Sequence, residues 1–240
     1  MASKFLGEFM GTMILILMGN GTVANVLLKR SKAEGAGWVA VTAGWAFAVM
    51  TGVFTAIACG SPDAHLNPAV TIGMAMRSGD FSNVAPYIVA QMLGAMAGAT
   101  LVWLHFLPHW AATPDGHVKF SCFGTSPAID SRGANILSEA LGTFVLILVA
   151  AAMGSKASGP LIPGLGPYLV GMLVWAIGLS LGGTTGYAIN PARDLGPRVM
   201  HAILPIAQKG GSDWGYAVVP VIGPIVGASV AGLLARTIGF

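Results

Sequence analysis

Long apolar runs alternate with short polar connections along almost the whole chain. Runs that match the roughly 20 residues needed to cross a bilayer fall near 5–28, 36–60, 84–107, 134–154, 166–186 and 215–237. Lys29–Glu34, Arg77–Asn83, the polar stretch Pro108–Gly133, Gly154–Gly164 and Gln208–Asp213 separate them. Most of these gaps carry Gly, Pro or Ser together with charge, as connections do. Lys4 followed by an apolar run has the outline of a signal peptide, but Glu8 interrupts it and no convincing small-residue cleavage site follows. It is expected to remain as a first membrane helix. Gly-x-x-x-Gly spacing at Gly7/Gly11, Gly94/Gly98, Gly178/Gly182 and Gly223/Gly227 predicts helices in close contact, because in lipid small residues one turn apart let backbones approach.

Two shorter segments, Asn67 to Met76 and Asn190 to His201, cannot span a membrane, and each begins Asn-Pro-Ala. Proline suits the first turn of a helix, where no N–H bond is lost, and asparagine before it is a good N-cap. Both read as half-length helices. The chain also repeats itself: Glu8-x-x-Gly11-Thr12 returns as Glu139-x-x-Gly142-Thr143, Asn67-Pro68-Ala69 as Asn190-Pro191-Ala192, and the Gly94/Gly98 pattern as Gly223/Gly227. Each half then holds three spans and one half-helix. Three is odd, so the repeats are inverted and the half-helices enter from opposite faces. The expected organisation is one membrane domain over residues 1–240, with a first repeat over about 1–107, a connecting loop at 108–133 and a second repeat over about 134–240.

Composition agrees with this and removes other classes. Charged residues make up 9% of the 240 and apolar ones 55%, against about 25% charged in soluble domains; mean hydropathy is +0.75. The net charge of +3 is too small and too scattered for a nucleic-acid binder. Cys59 and Cys122 lack metal or redox spacing and read as unpaired thiols. No cofactor or metal is implied, and no nucleophile–base pair suggests an enzyme. Gly178-Leu179-Ser180-Leu181-Gly182 matches a hydrolase pattern, but that motif needs a strand-to-helix elbow and here lies in an apolar helix. His105 and His109 have i,i+4 spacing with Pro108 between them and no acidic partner nearby, so they read as an incidental pair.

Ala64-His65-Leu66-Asn67-Pro68-Ala69-Val70-Thr71 and Ala188-Ile189-Asn190-Pro191-Ala192-Arg193-Asp194 closely resemble the aquaporin superfamily, and the resemblance covers nearly the whole chain. Asp194 directly after Asn-Pro-Ala-Arg, with Arg198, Pro220 and Val221, resembles the glycerol-facilitator branch. The resemblance implies an all-α, right-handed bundle of six membrane helices and two half-helices, assembled as a homotetramer in lipid with a pore in each subunit. It implies a passive channel for glycerol and similar small uncharged polyols, with some water. By position it puts Trp45, Gly178, Tyr187 and Arg193 at the narrow filter, and carbonyls of Ala64, His65, Thr185 and Gly186 along the pore. Glu8 and Glu139, which intramembrane position alone would make functional candidates, become supports for the pore loops. Asp63 stands where a glycine is common; it is expected to cap the first half-helix, the alternative being a negative charge near the cytoplasmic vestibule.

The residues themselves support this chemistry. Two neutral Asn amides at the crossing can donate to a passing oxygen, and two positive helix ends meet there. Arg193 stays charged and can donate to two hydroxyls on one face of a polyol, with Trp45 and Tyr187 against its carbon face and Gly178 leaving room. A secondary transporter is the alternative, since inverted repeats with broken helices serve there too, but a coupled carrier calls for ionisable groups at the midplane. Orientation is less straightforward. With both termini cytoplasmic, the inside carries Lys4, Arg77, Lys156 and Arg236, and six basic residues remain outside even without Arg193 and Arg198. Positive-inside bias alone would invert the protein; the expectation follows the family.

Overall fold

The computed structural model describes residues 2–240, and every regular element in it is helical. Six long helices form the frame: α1 (Lys4–Leu27), α2 (Gly37–Ala58), α4 (Val84–His105), α7 (Arg132–Met153), α8 (Leu165–Leu181) and α10 (Val219–Ile238); between them lie α3 (Pro68–Ser78), the short α5 (Leu107–Ala112) and α6 (Gly116–Ser121), and α9 (Pro191–Ile203). Five of the long helices have the length and apolarity of membrane spans, and α8 is a shorter apolar helix of 17 residues. Two ends differ from the sequence reading. The fifth run was expected to reach 186, but α8 stops at Leu181, where the chain turns back into the bundle; the sixth starts at Val219 after a turn.

In lipid, water does not drive helices together, so contact depends on how closely the backbones fit. The glycine pairs supply that fit symmetrically. A Cβ on Gly94 would sit 2.3 Å from the Phe9 carbonyl oxygen and one on Gly98 2.5 Å from that of Met13, so α4 lies flush on α1. In the other half a Cβ on Gly223 would meet the Ile136 carbonyl oxygen at 2.8 Å, and Gly227 is pressed as tightly on Ala140, which joins α10 to α7. The half-helices cross over between the repeats. α3 packs on α10, where Gly232 abuts the Gly73 carbonyl, and α9 packs on α4, where a Cβ on Gly196 would meet the Ala95 Cβ at 2.6 Å. Each half-helix is thereby held by the last long helix of the opposite repeat. Outward faces carry Phe47, Phe54, Leu93, Leu141, Val226 and Val230 in the open, an apolar belt suited to hydrocarbon and too extensive for water.

The 108–133 connection is more structured than its polarity implied. Asp115 caps α6 by accepting from the His117 N–H at 2.8 Å. Lys119 is wholly buried and its Nζ donates to the Ala207 and Gln208 carbonyls, which fastens this stretch to the segment after α9.

Candidate functional site

Two loops, residues 59–67 and 182–190, run from the ends of α2 and α8 back into the bundle and deliver the half-helices. Their backbones alternate through left-handed conformations at non-glycine residues: Ala64 (φ 43°) and Leu66 (φ 53°), then Tyr187 (φ 37°) and Ile189 (φ 43°). Such residues are unfavourable on their own by about 1–2 kcal/mol each, so something must hold them. Two buried carboxylates do. Glu8 accepts from the N–H groups of His65 (2.8 Å) and Leu66 (2.7 Å), and Glu139 from those of Ala188 (2.9 Å) and Ile189 (2.7 Å). Ser61 and Gln91 side chains complete the shell of Glu8 at 2.8 and 2.7 Å.

The loops end at the two asparagines, each with its side chain in two roles. Asn67 Oδ1 accepts from Ala69 N (2.8 Å) and caps α3; Asn190 Oδ1 accepts from Ala192 N (3.0 Å) and Arg193 N (3.2 Å) and caps α9. Their amide nitrogens cross over: Asn67 Nδ2 donates to the Ile189 carbonyl and Asn190 Nδ2 to the Leu66 carbonyl, both at 2.8 Å. An amide nitrogen carries two hydrogens, so each asparagine keeps one donor after tying the loops together. Pro68 and Pro191 open the half-helices at the first position, where no N–H is needed, and Ala69 and Ala192 are fully buried between them.

Two cavities lie along the path through this crossing. The inner, of about 410 Å³, extends from Asp63, His65 and Arg77 past Asn67 and Asn190; the outer, of about 430 Å³, is lined by Trp38, His117 and Thr125 among others. They share only Trp45, Tyr187 and Arg193, which therefore form the neck between them. The Arg193 guanidinium lies over the Trp45 ring, 4.1 Å from its centroid. Among the described residues no carboxylate pairs with Arg193; the adjacent Asp194 is bonded to Arg198. The neck thus has two aromatic rings and one unpaired cation, and the crossing inside it has two neutral amides.

A model of the Major intrinsic protein family matches residues 1–235. The chain belongs to that family. Among its relatives, Glycerol uptake facilitator protein 3 of Lactiplantibacillus plantarum is 54% identical over 98% of this chain and 96% of its own. A Glycerol uptake facilitator protein of Streptococcus pneumoniae is 52% identical over 98% of both. The X-ray structure of the aquaglyceroporin from Plasmodium falciparum superposes with a TM-score of 0.86 at 28% identity, covering 98% of this chain and 95% of that one. The fold of this family member is aquaporin-like.

Several expected positions take a different form. Gly178 borders neither cavity; its missing side chain makes room for a protein ring. A Cβ there would lie 2.8 Å from Tyr187 Cζ, and one on Gly182 would lie 2.5 Å from Tyr187 Cδ1. This glycine pair, expected to receive a helix, is a seat for Tyr187. Gly19 does the same for Trp45, whose ring would come within 2.3 Å of a Cβ. Of the four residues expected to line the pore with carbonyls, Ala64 and His65 border the inner cavity and Gly186 the outer, while Thr185 is buried and borders neither. Asp63 does not cap α3, because Asn67 does; its carboxylate accepts from the Tyr87 hydroxyl (2.6 Å) and lies 3.3 Å from Lys4 Nζ. Pro220 and Val221 sit in the first turn of α10, away from both cavities. Cys59 and Cys122 are free thiols, and His109 bonds the Lys29 carbonyl through Nδ1.

Sequence reading missed Gly19, Gln91, Thr125 and Trp38. Gln91 bridges Glu8 and Thr71, and Thr125 gives Asp194 both its N–H and its hydroxyl, each at 2.7 Å. Only Gln91 left a trace, as an amide inside an apolar run. The others are ordinary residue types whose use depends on what folds against them.

Proposed function

We propose that this protein is a passive membrane channel for glycerol and related small uncharged polyols, with some water permeability. The observation that carries the reading is the one-sided neck. Trp45 and Tyr187 suit the carbon face of a polyol, and the Arg193 guanidinium, free of a carboxylate, suits its hydroxyls. Past the neck, Asn67 and Asn190 each retain a donor, which replaces part of the water a hydroxyl gives up. Leaving a hydroxyl unpartnered costs on the order of 2–7 kcal/mol, so a continuous path of donors lowers the barrier. Arg193 and two inward-facing positive helix ends oppose cations and protons. The names and close identity of the glycerol uptake facilitators support the same solute class. The two crossing amides are neutral, and the carboxylates beside them, Glu8 and Glu139, are engaged by loop N–H groups and do not line either cavity, which favours a channel over a carrier. The protein is a multi-pass component of the cell membrane, both termini cytoplasmic, working as a homotetramer with one pore per subunit, and it performs no catalysis.

The test is solute flux in proteoliposomes. Glycerol uptake should rise linearly with concentration, vary weakly with temperature and ignore an imposed proton gradient. Saturation at low concentration, or accumulation above equilibrium driven by pH, would replace the channel by a carrier.

A further inference from the structure

We propose that Trp38 positions Tyr187 and through it sets the width of the neck; the inference rests on the channel reading above. Trp38 lies in the first turn of α2, seven residues before Trp45, and borders the outer cavity. Tyr187 is poorly anchored by its own chemistry. Its backbone is left-handed at φ 37°, an unfavourable conformation for an aromatic residue, and its buried hydroxyl has no hydrogen-bond partner among the described residues. The ring must be held by packing. On one side are Gly178, Gly182 and the Thr42 methyl, which a Gly178 Cβ would approach at 3.0 Å.

The remaining side is Trp38. Its indole meets the Tyr187 ring edge-on, with centroids 5.8 Å apart and planes at 79°, a favoured geometry for two aromatic rings. Both rings lie over Gly182, whose absent Cβ would fall 2.8 Å from Trp38 Cζ2. The indole is fixed in turn, since Nε1 donates to the Gly178 carbonyl at 3.1 Å. That carbonyl is one of the last four of α8, which have no intrahelical donor. Trp38 therefore caps α8 and braces Tyr187 with one side chain. A tryptophan that served only as an interfacial anchor would need neither contact. With the indole removed, the Tyr187 ring has space to lean outward and the neck widens.

The experiment is a double-mutant cycle on Trp38→Ala and Tyr187→Ala, read as the permeability ratio of a five-carbon polyol to glycerol per inserted protein. Trp38→Ala should raise the ratio by about fivefold, the scale of one lost aromatic edge contact, and should add nothing on the Tyr187→Ala background. Trp38→Phe, which keeps a ring but loses the N–H donor, should give a smaller rise and carries the test if Trp38→Ala does not insert. An unchanged ratio would make Trp38 an interfacial anchor. Equal loss of water, glycerol and the larger polyol would make it merely structural. The same rise on both backgrounds would mean that it does not act through Tyr187. A parent that does not conduct glycerol would overturn the channel reading instead, and the cycle is then read on urea against water.

Discussion

In the first pore loop the residue four places after the asparagine is Thr71; in the second it is Asp194. Thr71 is satisfied by neutral neighbours: its hydroxyl donates to the Asn67 carbonyl at 3.1 Å and accepts from the Gln91 amide at 3.0 Å. Asp194 is an ion buried beside another, Arg198, and both side chains are inaccessible to solvent. All five guanidinium donors are used. Nε and Nη2 reach Asp194 at 2.7 and 3.0 Å, Nη2 also reaches the Thr125 carbonyl at 2.9 Å, and Nη1 reaches those of Ser212 and Asp213 at 2.9 and 2.6 Å. Thus α9 is laced to the connection before α7 and to the segment before α10, while the corresponding tie from α3 is a single hydrogen bond from Arg77 Nε to the Phe240 carbonyl at 2.8 Å. The difference follows the filter. Only the second loop carries an aromatic and an arginine into the neck, and it borders the outer cavity, where long connections must be held in place. A buried ion pair adds little net stability over apolar packing but tolerates few alternative arrangements; here it fixes the geometry of α9.

Breaking that lacing should give the largest effect. Arg198→Met leaves the Asp194 carboxylate buried without its cation and the Thr125 and Ser212 carbonyls without donors, a loss of about 3–5 kcal/mol. Thr71→Val at the equivalent place removes one neutral hydroxyl and should cost about 1 kcal/mol. Thermal unfolding in detergent, followed by fluorescence-detected size exclusion, should show a much lower midpoint for Arg198→Met. Comparable midpoints for the two variants would mean that the ion pair is not what distinguishes the loops.

The supporting carboxylates sharpen the comparison. Glu139 is bonded by two backbone N–H groups, which cannot turn to become acceptors, and has one rotatable side-chain neighbour, the Thr185 hydroxyl. Glu8 is bonded by two N–H groups and also by the Ser61 hydroxyl and the Gln91 amide, both of which can. The Gln91 Oε1 has no partner among the described residues, so a rotated amide could accept from a new NH2 group. Glutamine at either site sets an NH2 against one loop N–H, at about 1–3 kcal/mol, but at position 8 two side chains, Ser61 and Gln91, can turn to accept from it, against one, Thr185, at position 139. Glu139→Gln should therefore reduce glycerol flux per inserted protein several-fold more than Glu8→Gln. The reverse order in stopped-flow measurements would show that Ser61 and Gln91 do not adapt.

The same contrast explains what could be read from the sequence. Span number, the inverted repeat and the two asparagine caps were legible, because each depends on local pattern: apolar length, an odd number of spans, and Asn-Pro-Ala opening a helix. That Glu8 and Glu139 support the pore loops came from the family resemblance; which N–H groups they hold is seen only in the fold, since a buried carboxylate alone does not name its donors. What failed was knowledge of which side of a residue faces the pore. Sequence position makes Gly178 open space, yet the space is filled by Tyr187, a residue nine positions later that returns only because α8 ends early. Gly19 and Trp38 gave no signal for the same reason. Asp63 was read as a cap from its place before a helix, but Asn67 already supplied the cap.

Asp63 also marks the mildest difference between the loops. Four residues before the asparagine the second loop has Gly186, at φ 78°, whereas the first has this carboxylate at the inner mouth. The hydrogen bond from the Tyr87 hydroxyl, and then Lys4, hold the Asp63 carboxyl below the usual carboxylate range. A carboxyl whose pKa is lowered by folding stabilises the protein above its unfolded value, near 3.9, and loses that contribution as pH falls through the lower folded value. Lys4 and Asp63 side chains are 49% and 40% exposed, so water screens the pair and its worth is at most about 1 kcal/mol. Asp63→Asn keeps an acceptor for Tyr87 and removes only the charge. Its unfolding midpoint should fall slightly below that of the parent at pH 7, and the gap should close once the pH drops below the folded value, where the parent carboxyl is also neutral. A gap that persists in acid would assign the contribution to the shape of the mouth and not to the charge, and Asp63 would then differ from Gly186 only in filling space.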